Sequence, residues 1–133
     1  MIYILDTNVV SDFLKKHSQV SDAVLRATAR NDRLLIPQLV HYELIRSLLR
    51  HNATTQLKRL NDEILPQLEW FALADADWLQ AARFWATTVN AGKQLSDVDL
   101  LLAALCQRLD ATLVTADDDF DALPIKRVNW RVG

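Results

Sequence analysis

Residues 97–117 read DVDLLLAALCQRLDATLVTAD: an acidic helix mouth, an apolar helical run, and a β-type run closed by another acid. Asp97 and Asp99 open a helix expected to run to Leu109, and only Asp110 and Ala111 separate it from a strand beginning at Thr112. So short a connection makes helix and strand antiparallel neighbours. From Asp99 to Leu109 the helix covers about 15 Å at 1.5 Å per residue. The strand returns a similar distance at about 3.3 Å per residue. Asp99 and Asp117 are therefore expected at one edge of a sheet. Residues 100–106 are apolar almost all round, as in a buried helix. A carboxylate at the mouth of such a helix is costly unless it is paired or bound to a cation.

Working outward, Ile2-Tyr3-Ile4-Leu5, Leu34-Leu35-Ile36-Pro37, Trp70-Phe71-Ala72-Leu73 and Thr112-Leu113-Val114-Thr115 read as buried strands, with residues 126–130 as an edge strand. Continuous apolar strands belong to parallel sheets covered on both faces. Helical patterns fill 8–15, 21–30, 39–51, 55–67, 75–90 and 97–109; Leu57, Leu60, Ile64, Leu65 and Leu68 define one face of the fourth. Trp78 and Trp85, seven residues apart, share a face with Ala81 and Ala82 and are expected in the core or a dimer seam. The alternation predicts an α/β fold, a three-layer α/β/α domain around a mainly parallel sheet of four to five strands. No linker or repeat divides the chain, so residues 1–133 are expected to form a single domain.

Composition narrows the class. The chain has 133 residues, two glycines, three prolines and one cysteine, with half its residues apolar. Collagen, low-complexity disorder and disulfide scaffolds are excluded. Cys106 lies in an apolar run and reads as a core thiol. The opening residues carry Asp6 and Asp12 without a sustained apolar stretch, and no run is long enough to span a bilayer. A cytoplasmic protein without a membrane partner is expected. Seventeen acids against fifteen bases give a net charge of -2, which by itself shows no nucleic-acid footprint.

The placement of the acids is more telling than their sum. Asp6 follows the first strand, Asp117 the fourth, and Glu43 lies near the start of the helix after Pro37. All belong to the carboxyl edge, where open parallel sheets bind ligands. With Asp99, four segments each bring a carboxylate to one place. Each acid alone has a structural use: Asp6 and Asn8 suit a helix cap, Ser96-Asp97-Val98-Asp99 suits a capping box, and Glu43 suits a pair with Arg46 or Arg50. Together they would repel one another, and a divalent cation removes that conflict. All-oxygen ligation selects Mg²⁺ or Mn²⁺ over zinc. His17, His41 and His51 have no zinc spacing, and no Gly-rich phosphate loop is present.

The order Asp6-Thr7-Asn8, Glu43, Asp99-Leu100-Leu101-Leu102-Ala103-Ala104 and Thr115-Ala116-Asp117-Asp118-Asp119-Phe120 resembles the PIN-domain family, and within it the VapC-type toxins of VapBC toxin–antitoxin pairs. The resemblance spans essentially the whole chain. It implies an Mg²⁺- or Mn²⁺-dependent endoribonuclease whose catalytic and metal-holding residues are Asp6, Glu43, Asp99 and Asp117, with Asn8 and Thr115 in support. It implies structured RNA such as transfer RNA as substrate, a homodimer, and inhibition by a small VapB-type antitoxin in a hetero-oligomer. Asp97 stands two residues before the family position and, with Asp119, is a further candidate ligand. Arg46, Arg50 and Lys93 are the basic residues placed to meet phosphate. Two other readings stay open. A haloacid-dehalogenase-type phosphatase needs a second Asp where Asn8 stands, and a non-catalytic PIN-like interaction module needs no turnover.

Overall fold

The computed structural model describes residues 1–132. Its elements are β1 (Ile2–Leu5), α1 (Thr7–Leu14), α2 (Ser18–Ala29), β2 (Arg33–Pro37), α3 (Gln38–Arg50), α4 (Thr54–Arg59), β3 (Glu69–Phe71), α5 (Asp75–Asn90), α6 (Asp97–Leu109), β4 (Thr112–Val114) and β5 (Lys126–Val128). The five strands form one sheet in the order β3-β2-β1-β4-β5. Every pairing is parallel. Right-handed crossovers put α1 to α4 on one face of the sheet, and α5 and α6 on the other. The expected three-layer α/β/α architecture is the one observed, with the sheet wholly parallel.

The sheet grows outward from β1 in both directions, first through β2 and later through β4. The gap between the carboxyl ends of β1 and β4 is therefore the topological switch point. Backbone pairing persists past both strands: Asp6 N–H donates to Val114 O at 3.0 Å, and Thr115 N–H to Val128 O at 3.0 Å. These bonds hold Asp6 and Thr115 in extended geometry at the crevice.

Behind the crevice, α6 buries every residue from 100 to 106. It packs along α5 and against β4, from which the chain runs on through the β4–β5 connection. That connection is pinned by Phe120, which is fully buried, and by Leu123. Asp110 ends α6 in a left-handed conformation, φ 51°, which Asp tolerates better than most side chains. Gly92 closes α5 at φ 76°, with its N–H on Val89 O and Lys93 N–H on Thr88 O. A glycine costs least in that reversal.

Three regions depart from the sequence expectation. The helix expected over 55–67 is α-helical only to Arg59; a π turn (Leu60–Ile64) and a 3₁₀ turn (Leu65–Gln67) follow. Pro66 has no N–H to donate and its ring would strike the carbonyl four residues earlier, so an α-helix cannot pass through it. The wider turn still buries Leu60 and Ile64. Next, β3 is an edge strand starting at Glu69, and Trp70 is 47% exposed rather than buried on both faces. Arg33 on β2 clamps Glu69 through two hydrogen bonds of 3.0 and 2.6 Å. Finally, Trp78 and Trp85 are not core residues; they are 58% and 53% exposed.

Candidate functional site

Asp6 is the only carboxylate at the switch point that is nearly enclosed, at 6% exposure among the described residues. It caps α1 and also faces inward. Thr7 N–H donates to its Oδ1 at 2.8 Å; Thr115 Oγ1 and Asn8 Nδ2 donate to its Oδ2 at 2.8 and 3.2 Å. A carboxylate offers about four acceptor positions, so these neutral donors leave room for about one more partner. Burial pushes the Asp6 carboxyl above its ordinary range, and the charges of Glu43 and Asp117 push it the same way.

Thr115 is the hub of this network. Its single O–H serves Asp6, while its oxygen accepts from Asp117 N–H at 3.1 Å and from Asn8 Nδ2 at 3.4 Å. The donor and both acceptor positions of the hydroxyl are thereby used. Asn8 completes the circuit by accepting from Ala116 N–H through Oδ1 at 3.4 Å. The side chains of the 6–8 and 115–117 turns thus fix each other.

Glu43 reaches the site from α3 and accepts from Thr7 Oγ1 at 2.8 Å. Its other oxygen lies 3.6 Å from Arg46 Nη2, beyond a tight hydrogen bond. Asp99 occupies the first turn of α6, where its backbone N–H is capped by Ser96 Oγ at 3.1 Å. Burial pushes the Asp99 carboxyl up to about 6, with the charges of Asp6 and Asp117 adding to the rise. Asp117 caps the following 3₁₀ turn by accepting from Asp119 N–H at 2.9 Å. The carboxylates expected to converge, Asp6, Glu43, Asp99 and Asp117, therefore share one electrostatic neighbourhood.

The outlying candidates separate. Asp119 accepts from Lys93 Nζ at 2.8 Å, a contact that raises the Lys93 value. Asp97 is exposed and lines a groove of about 320 Å³ between α5 and α6 with Trp78, Trp85 and Leu100. Arg50 lies exposed in the last turn of α3. His41 packs edge-on against Trp70, with ring centroids 4.8 Å apart.

Two participants were not singled out from sequence. Thr7 anchors Glu43, and Asp118 joins Asp117 and Asp119 in a trio whose oxygens lie within 4.8 Å of one another. The signal for Thr7 was its place directly after the strand's acid, in the same turn as Asn8.

The donor set fits a hard divalent cation. Asp6 is bonded to hydroxyl and amide donors rather than to a cationic side chain, while two neighbouring acids raise its value. Among the described residues only Asp117, Asp118 and Asp119 bring three carboxylates within 4.8 Å. The ring of Asp6, Glu43, Asp99 and Asp117 is more open than direct contact of all with one ion would require. Mg²⁺ ordinarily keeps several waters and takes one or two carboxylates directly, which suits such a ring.

Comparisons with known proteins bear on the family and the fold. The PIN domain family matches residues 3–126. VapBC2 from Rickettsia felis, solved bound to a promoter DNA fragment, superposes with a TM-score of 0.87 at 26% identity, covering 98% of this chain and 99% of that one. DNA-bound VapBC from Salmonella typhimurium gives 0.86 at 19% identity, covering 98% of each chain. FitAcB from Neisseria gonorrhoeae gives 0.82 at 21% identity over the full length of both. No curated protein matches the sequence.

Proposed function

The chain belongs to the PIN-domain family, and on that premise we propose that it is an Mg²⁺- or Mn²⁺-dependent endoribonuclease, the toxin of a type II toxin–antitoxin system acting in the cytoplasm. One observation carries the reading. A nearly enclosed carboxylate, Asp6, is held by neutral donors at the sheet's switch point, with Glu43, Asp99 and Asp117 around it. Buried acids kept for stability alone are normally matched to basic partners, as Asp77 is to Arg108 on the far side of α6.

Asp6, Glu43, Asp99 and Asp117 would hold the cation, with Asp119 as a further ligand. When bound, the cation supplies an activated water and charge stabilisation for an in-line phosphodiester displacement. The chain's own residues do the rest. Thr115, Asn8 and Thr7 aim the carboxylates; one carboxylate of the set accepts the proton that the attacking water loses. Water, not the ribose 2′-hydroxyl, is the nucleophile, so the products carry a 5′-phosphate and a 3′-hydroxyl. Asn8 stands where an aspartyl-phosphate enzyme would need its second Asp, and here it donates to Asp6. Arg46, Arg50 and Lys93 are the basic groups proposed to meet the RNA, transfer RNA being the first substrate to try.

The VapBC likeness supports a small VapB-type antitoxin as partner, and a homodimer is the proposed assembly. Trp78 and Trp85, exposed over the groove of α5 and α6, supply an apolar surface suited to a protein partner. No helix among the described residues is long and apolar enough to cross a membrane.

The test is induced expression of the wild type and of Asp6→Asn, with sequencing of newly formed RNA 5′ ends. New ends in the wild type alone support the nuclease. Equal profiles, together with no metal-dependent cleavage by protein freed of its partner, would point to a non-catalytic interaction module.

A further inference from the structure

Beside the carboxylate site, α3 carries an aromatic side chain that the chemistry above does not use, paired with Arg46. Tyr42 is 61% exposed although it directly precedes Glu43. The guanidinium carbon of Arg46 lies 5.1 Å from the centre of its ring. The same guanidinium lies 3.6 Å from Glu43 Oε2. One side chain thus links an open aromatic face to the acidic site, and the ring centre lies within about 10 Å of the Glu43 carboxylate.

An exposed tyrosine on a helix surface usually lacks a reason to be held. Here the cation rests on one face of the ring, leaving an accessible aromatic surface next to a positive charge. Ring and guanidinium together match the two parts of a nucleotide: every base presents a π face, and a planar guanidinium fits a phosphate's oxygens. A base stacks in this way only when its face is free, which a duplex does not allow.

Building on the ribonuclease reading of the adjacent site, we propose that Tyr42 and Arg46 bind one unpaired nucleotide next to the scissile phosphate: Tyr42 stacks on its base and Arg46 contacts its phosphate. The enzyme then selects single-stranded or looped RNA through this pair, and α3 presents both the acid and the selector.

The test is steady-state cleavage of an oligoribonucleotide containing a wild-type cleavage site, given single-stranded and annealed to its complement. Tyr42→Leu, a good helix former at an exposed position, is expected to raise KM about tenfold with kcat within about twofold, the loss of one stacked base. Tyr42→Phe keeps the ring and is expected to stay within about twofold of the wild type in both constants. Tyr42→Gln repeats the measurement with a polar side chain, and melting curves confirm that each variant is folded. Annealing is expected to suppress wild-type cleavage at the site by about tenfold or more. An unchanged KM in both Tyr42→Leu and Tyr42→Gln, or equal cleavage of the annealed strand, overturns the inference while leaving the nuclease intact. A wild type that cleaves no RNA removes the nuclease reading itself and this inference with it.

Discussion

Thr115 Oγ1 donates a 2.8 Å hydrogen bond to Asp6 Oδ2 across 109 positions of sequence. This bond ties the turn after β1 to the turn after β4 at the one place where the sheet's growth reverses. Because the same hydroxyl accepts from Asp117 N–H, a single oxygen orients two of the four acids.

Thr115→Val keeps the shape of the side chain and deletes that oxygen. With a charged acceptor left short of a donor, stability should fall by about 1.5–3 kcal/mol, measured by urea unfolding. Cation affinity should fall about 10- to 100-fold, as expected for a residue that orients ligands without touching the ion. Thr115→Ser restores the hydroxyl and should recover most of both losses.

Metal-free protein should respond to pH through Asp99. Its folded value of about 6 stands above the ordinary 3.8. That contribution to stability is complete below the ordinary value and is lost as pH rises through about 6. Asp99→Asn should therefore melt higher than the wild type at pH 7.5, and the gap should narrow as pH falls through about 6 and close only below the ordinary value of 3.8. After allowance for solvent screening the gap is about 1–2 kcal/mol. Comparing the two proteins cancels His41, whose value burial lowers and which acts in the opposite direction in both, and reports Asp99 together with its charge coupling to Asp6 and Asp117. Asp32, Glu69 and Asp121 are held low, by the N-terminal amine, Arg33 and Arg127, and lose their contributions only as pH falls through those lowered values.

Mn²⁺ or Mg²⁺ should raise the melting temperature of the wild type, by about 2.7 kcal/mol of stabilisation at a hundred times the dissociation constant. Asp99→Asn should blunt the rise. Asp97→Asn should retain it, because Asp97 lines the α5–α6 groove with Trp78 and Trp85. Calorimetric titration of the three proteins checks the assignment; equal loss in Asp97→Asn would return Asp97 to the ligand set.

A contrasting acid lies on the far side of α6. Asp77 is 1% exposed, receives two hydrogen bonds from Arg108, and accepts from Ala74 N–H at the start of α5. Asp77→Ala should cost about 2–3 kcal/mol, less than the about 3–5 kcal/mol of a fully buried pair because Arg108 is one-third exposed. Folded Asp77→Ala should keep its cation affinity, so stability and site chemistry separate.

Much of this architecture was readable because local rules and the global fold agree. The two-residue joint between α6 and β4 forces them antiparallel, which brings Asp99 and Asp117 to one edge without any knowledge of the rest. Apolar strands followed directly by an acid do the same for Asp6. What escaped lies where neighbours decide. The periodicity of Trp78 and Trp85 reports a shared face but not what covers it, and among the described residues both stay more than half exposed. Trp70-Phe71-Ala72-Leu73 reads as a buried strand until the strand order leaves β3 at an edge. Leu57, Leu60 and Ile64 keep helical spacing while Pro66 quietly removes the α-helical bond. Thr7 matters only through its contact with Glu43 on α3, and spacing within one segment cannot reveal contacts between segments.

The central claim is that these carboxylates serve hydrolysis of RNA by water. Its most direct test is end-group analysis of RNA incubated with purified, partner-free protein, with Mg²⁺ or Mn²⁺ and with chelator. The expected result is cleavage only with the cation, yielding 5′-phosphate and 3′-hydroxyl ends, and none from Asp6→Asn. Products ending in 2′,3′-cyclic phosphate, or cleavage that survives both chelation and Asp6→Asn, would contradict it.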